Sequence, residues 1–158
     1  MAEPLNSGQL RIAAMDYLAR REHTAAELET KLRGRFRDNP EVEVLLPEVI
    51  QQLQRDGLQS DERFAEAFVR GRCAKGHGPL RIARDLRQKG LSSALIHHHL
   101  NSSEVDFFAL AASVARKKFG PLPAADIKEQ ARRIRFLNYR GFTGEQASCA
   151  LEAVATTI

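Results

Sequence analysis

Three consecutive histidines (His97, His98, His99), two cysteines (Cys73, Cys149) and a GHGP turn at 76–79 are the residues whose types could ligate a metal or cradle a phosphate. Their spacing supports neither. Consecutive residues of a helix point about 100° apart, so the three imidazoles cannot close on one ion. Two cysteines 76 positions apart make neither a zinc motif nor a disulfide framework. Free thiols fit a reducing cytosol. The GHGP turn lacks the GxxxxGK[ST] spacing of a phosphate loop, and no strand precedes it. No GxSxG, HExxH or paired catalytic carboxylates occur, so the chain reads as a non-enzyme that needs no cofactor and no metal.

Charge is the chemistry that remains. Between 70 and 90 stand seven bases, Arg70, Arg72, Lys75, Arg81, Arg84, Arg87 and Lys89, against one acid, Asp85. The whole chain carries only +4, so the rest is slightly acidic. The preceding block, 37–66, holds eight acids and three bases. Adjacent blocks of opposite sign suit a surface that orients an anionic partner as well as attracting it. Arg81, Arg84 and Arg87 recur at helical spacing opposite Ile82, Ala83 and Leu86, and guanidinium groups there can grip phosphates or carboxylates bidentately. A second basic set, Arg132, Arg133 and Arg135 with Lys128 and Arg140, is interleaved with Phe136 and Tyr139. Base stacking is one use of such a pattern, but a stacked helix buries two faces, and the two aromatics read as core.

The elements that must position these residues are helices. Trp is absent, aromatics are 6%, and Val and Ile never alternate over a sustained run. LQRDGLQS at 53–60, LRQKGLSS at 86–93 and LNYRGFTG at 137–144 share one pattern: helix, glycine, apolar residue, hydroxyl. Glycine ends a helix in the left-handed conformation, and Ser60, Ser92 and Thr143 cap the next one. Thr24 with Glu27, and Thr143 with Gln146, have capping-box spacing. Nine helices follow, near 8–20, 24–36, 42–56, 61–74, 79–89, 92–100, 104–119, 126–140 and 143–155, the third with Pro47 as an alternative start. Phe64, Ala67 and Phe68 are the expected core stripe of the fourth; Ile127, Ala131, Ile134 and Leu137 that of the eighth.

In threes, the helices give an all-α repeat of three tandem three-helix modules at 8–57, 61–101 and 104–156, elongated or curved, each too small to bury a core alone. The N-terminus lacks a basic segment followed by an apolar one, so no signal peptide is read there. No apolar run approaches the ~18 residues a bilayer demands.

YLARREHTAAELETKL at 17–32 and GLQSDERFAEAFVRGRCAKGHGPLRIARDLRQKGL at 57–91 resemble the RecX family of bacterial RecA regulators. The likeness covers essentially the whole chain and is least specific in the third module. It implies tandem three-helix modules and a cytoplasmic, monomeric, non-enzymatic protein. The implied partners are the RecA filament and single-stranded DNA, with double-stranded DNA as a further candidate. The implied action is inhibition of RecA's ATPase, strand exchange and coprotease activities. The motif residues Asp61, Glu62, Arg63, Arg70, Arg72, Gly78, Pro79, Arg81 and Ile82 match; Gln59 stands where the family commonly has an acid, and the third module is short. Two other readings stay open: a stand-alone helix-turn-helix DNA-binding protein, though no second helix starts with a base-reading set, and a helical scaffold for another acidic protein.

Overall fold

The computed structural model describes residues 4–102 and 104–156, with side chains given to Val154; residues 1–3 of the N-terminal reading lie outside them. Nine α-helices and no strand occur among the described residues: α1 Ser7–Arg20, α2 Ala25–Arg35, α3 Val42–Arg55, α4 Asp61–Ala74, α5 Pro79–Gln88, α6 Ser93–Ser102, α7 Phe107–Phe119, α8 Ile127–Tyr139 and α9 Gly144–Thr156. None is long and apolar enough to cross a membrane.

Local chemistry fixes most of the boundaries. Ser60 Oγ accepts from Arg63 N, Ser92 Oγ from Leu95 N, and Thr143 closes a reciprocal box with Gln146. Thr24 and Glu27 form the expected capping box. Gly57, Gly90 and Gly141 all have positive φ, as their helix-ending role requires. Helix α7 starts later than 104 because the Asp106 carboxylate accepts from Phe108 N and Ala109 N and sets the cap there. Helix α3 starts at Val42, with Pro47 inside it; the proline removes one donor near the open end of the helix.

The extensive helix contacts fall within α1–α3, α4–α6 and α7–α9. The buried side chains nevertheless form two cores, not three. Leu10, Leu28, Leu32, Leu46 and Leu53 belong to one, drawn from α1–α3. Phe64, Ile82, Leu86, Ala111, Leu137 and Phe142 belong to the other, which runs continuously through α4–α9. The last six helices thus share apolar burial, whereas the first three meet them through polar groups.

Both joins are tied by hydrogen bonds at helix ends. Gly78 N, just ahead of α5, donates to Arg140 O at 2.8 Å, and Leu80 N donates to Gly141 O at 2.9 Å. Orphan donors at the start of one helix are thereby satisfied by orphan carbonyls at the end of another. At the other join, Thr24 Oγ1 donates to Lys89 O at 2.6 Å and Ala25 N donates to Asp61 Oδ1 at 2.8 Å. A Cβ at Gly90 would fall 2.3 Å from Ala26 Cβ, and one at Gly141 2.3 Å from Arg81 Cβ. Gly57 has open space instead, because it follows a third helix while Gly90 and Gly141 follow second helices. The three similar motifs share turn chemistry, not their place in the repeat.

Candidate partner-binding surface

The turn between α4 and α5 sets the first basic surface. Gly76 takes φ +79, and Gly76 N and His77 N close back on Cys73 O and Arg72 O. Pro79 then opens α5 at the position where a missing N–H costs nothing. Helix α5 buries Ile82, Ala83 and Leu86 and leaves Arg84 and Arg87 outward.

The seven expected bases divide in two. Arg72 lies 3.5 Å from Asp85 with its guanidinium 4.6 Å over the Phe68 ring. Lys89 lies 3.9 Å from Glu27 and over Phe64 and Phe68. Arg81 packs its Cβ against the Gly141 position and its guanidinium 5.7 Å over Tyr139. These three are engaged within the chain. Arg70, Lys75 and Arg87 have no ion pair among the described residues, and exposed Arg84 has only a 3.7 Å approach to its neighbour Asp85. Such an exposed contact contributes about 0–1 kcal/mol and leaves the charge available.

On α8 the outcome differs from the sequence reading. Arg133, a candidate partner residue, is only 8% exposed. It donates to Leu122 O and Glu129 Oε1 and covers Phe119. Ile127, expected in the core, is 89% exposed, and Tyr139 is 77% exposed. Ala67 of α4 is likewise outside, with Phe64, Ala65 and Val69 inside. The inward lane of α8 runs through Arg133 and Leu137, because the aliphatic stem of arginine can fill a semi-apolar lane while its head reaches a carbonyl. The outward lane is Lys128, Arg132, Arg135 and Tyr139, all exposed and at i, i+4, i+7, i+11 spacing. Arg132 is held bidentately by Glu129 at 2.7 and 2.8 Å, whose carboxyl is pushed down to about 2 by that pairing; Arg135 has no ion pair among the described residues.

Sequence reasoning missed a further feature. Between α4, α7 and α8 lies a groove of about 390 Å³, its rim carrying Lys75, Lys117, Lys118 and Arg140 and its floor Val114 and Phe136. No carboxylate lines it. Lys117 and Lys118 had an evident local role at the end of α7; that α4 and α8 end beside them is tertiary information. Three helix C-termini at about −0.5 charge each offset only about 1.5 of the four positive charges. Of the acidic 37–66 block, Asp56 pairs with Arg11 at 2.7 Å, Glu43 with Arg33 at 3.0 Å, and Asp61 caps Ala25 N. Part of that block is therefore structural.

One buried histidine sits at each join. His23 Nδ1 lies 3.0 Å from Arg21 O and its Nε2 3.0 Å from Lys31 Nζ, the pattern of a neutral ring that donates at one nitrogen and accepts at the other. Burial lowers its pKa, opposed by the hydrogen bond to the Arg21 carbonyl and by Glu27, while the charges of Arg21 and Lys31 add to the lowering. His77 is lowered by burial and by Arg81, Arg72 and Arg140, opposed by Asp85. Both rings bind protons more readily unfolded, so stability falls as pH drops below the ordinary value of 6.5 and toward the lowered folded values. The midpoint of thermal unfolding is expected to fall between pH 7.5 and 5.5. The slope should flatten in a His23→Gln, His77→Gln protein; an unaltered slope there would remove the histidines as its cause.

Among the described residues no group of three His, Cys, Asp or Glu is placed to hold a metal. Arg84, Arg87 and the lysine-rich groove are groups that can hold anions. Residues 60–100 match the family model described as RecX, second three-helix domain, and 104–151 match RecX, third three-helix domain. The Regulatory protein RecX of Halorhodospira halophila is 43% identical over 147 residues, covering 93% of this chain and 89% of that protein. That of Pseudomonas putida strain GB-1 is 42% identical over 84% of this chain and 83% of its own. The crystal structure of RecX from Lactobacillus salivarius superposes with a TM-score of 0.80 at 20% identity, covering 94% of this chain and 96% of the other; at that identity it speaks for the fold.

Proposed function

Because the chain belongs to the RecX family of regulatory proteins, we propose that it is a non-enzymatic modulator of the RecA recombinase. It binds the RecA–single-stranded DNA filament in the cytoplasm as a monomer and limits filament growth, and with it ATPase, strand-exchange and coprotease activity. The units at 8–57, 61–101 and 104–156 serve as its modules. The observation that supports this reading is the set of outward bases Arg84 and Arg87 on α5, with Arg70 exposed on α4, within the stretch matched by the second-domain model. Spread over two helices, they suit an extended anionic surface better than a small ligand.

The test is RecA's DNA-dependent ATPase with the protein added below stoichiometry, paired with co-sedimentation on RecA–DNA filaments and on DNA alone. Inhibition and filament co-sedimentation are expected, and inhibition at no ratio would sink the proposal. Arg70→Glu, Arg84→Glu and Arg87→Glu together should weaken filament binding by about tenfold or more at moderate salt, with helicity intact, since exposed charges govern association and its salt dependence. Unchanged binding would move the contact elsewhere on the chain.

A further inference from the structure

We infer that Tyr139 is a stacking platform for a nucleobase of single-stranded nucleic acid, held in place by Arg81 across the α5–α8 join. This rests on the nucleic-acid side of the function proposed above and deepens it by naming a contact residue. The ring is 77% exposed, the most exposed aromatic among the described residues. A single exposed aromatic is ordinary on a protein surface; what distinguishes Tyr139 is the charge around it.

A cation approaches one face of the ring. The Arg81 guanidinium carbon is 5.7 Å from its centroid. Arg81 itself is fixed: its Cβ packs against the Gly141 position, and its Nε is buried with no hydrogen-bond partner among the described residues. No carboxylate pairs with that guanidinium among the described residues, so its charge is not cancelled. A cation on one face orients the ring and leaves the other face for a planar partner. Leu80, also exposed, lies at the same join through Leu80 N to Gly141 O and extends the apolar ground beside it.

The surroundings suit a strand rather than a free base. Along α8, Lys128, Arg132 and Arg135 share the exposed lane of Tyr139, at successive rises of about 6, 4.5 and 6 Å; Arg132 is paired with Glu129, so Lys128 and Arg135 carry the available charge. Arg84 continues the basic surface on α5, one turn beyond Arg81. Cations in a row, ending in an aromatic ring, are the arrangement that tracks a phosphodiester backbone while one base stacks. A duplex hides its base faces and could use the cations but not the ring.

The chain has two tyrosines and no tryptophan, so Tyr17→Phe leaves Tyr139 as the sole strong intrinsic fluorophore. Titrating that protein with single-stranded oligothymidylate should quench most of its tyrosine emission. An abasic strand of equal length and a duplex should bind through phosphates with little quenching. In the native background, Tyr139→Ala should lose about tenfold in affinity for the strand and Tyr139→Phe very little, the loss expected for one stacked base. No quenching at saturation, equal quenching by the abasic strand or the duplex, or equal affinities of the Ala and Phe proteins would each overturn the assignment. None of these readouts involves RecA. Failure of ATPase inhibition with quenching intact would therefore count against the proposed function alone.

Discussion

Gly78→Ala is expected to lower stability by about 3 kcal/mol, the upper range of overpacking costs, and the midpoint of thermal unfolding by about 10 °C. Gly78 has an ordinary φ of −87°, so the cost is not conformational. A Cβ there would fall 2.4 Å from Gly141 C and Phe142 N and 2.5 Å from Gly141 O. All three are backbone atoms, which cannot swing aside as a side-chain end would. The two bonds that tie the start of α5 to the end of α8 lie at this spot, so relief of the clash must lengthen them and strain the shared core around Phe142. Two controls give the effect its meaning. Gly57→Ala has open space and positive φ, and should cost only about 1 kcal/mol for the left-handed conformation. Gly34→Ala, inside α2 with nothing within 4 Å, should be stabilising by about 0.5–1 kcal/mol. Thermal unfolding followed by helical circular dichroism checks all three, and Gly78→Ala unfolding at the native midpoint would contradict the packed-join account.

The same glycines show what the sequence could and could not disclose. Helix ends are written in residues within a turn of one another, so the caps at Ser60, Ser92 and Thr143 and the left-handed Gly57, Gly90 and Gly141 were legible before any packing was known. Which glycines also lie against another module was not, since Ala26 and Arg81 are some 60 residues from their contacts. Helix faces failed for a related reason. The apolar lane of α8 predicts Ile127 inside and Arg133 outside, yet the helix packs against the directly paired α7 and α9 and reaches Leu122 O with the Arg133 head. Periodicity counts apolar residues; it does not know that a carbonyl waits beneath an arginine. Tyr139 escaped on the same ground, because its exposure depends on where α5 docks. The basic character of α5 was legible, the lysine groove at the end of α7 was not, and the division into spent and available charges was legible only in part: Arg72, Arg81 and Lys89 look like Arg84 and Arg87 until their partners are placed.

The join between the first three helices and the rest leads to the second large effect. Its buried groups are polar: His23, Thr24 and Gln59 are all nearly inaccessible. Gln59 Nε2 donates to His23 O and to Asp61 Oδ1, while its Oε1 accepts from Gln54. An acid there could accept from Gln54, but it would present two acceptors to His23 O and Asp61, which also accept. The amide is the side chain that satisfies this particular ring of partners. Thr24 carries most of the load. Its hydroxyl accepts from Glu27 N at 3.0 Å as the cap of α2 and donates to Lys89 O at 2.6 Å across the join. Thr24→Val keeps the shape and removes both. Loss of the cap costs about 1 kcal/mol, and a buried carbonyl left without its donor about 1–3 kcal/mol more, so a total near 3 kcal/mol is expected in urea unfolding. Thr24→Ser restores the hydroxyl and should recover most of it. Since no apolar core crosses this join, the Val protein should also lose amide-exchange protection selectively at Ala25, whose N–H is held by Asp61 from the other side. Equal stabilities of the Val and Ser proteins would mean that the two sets of helices are held by something other than this polar seam.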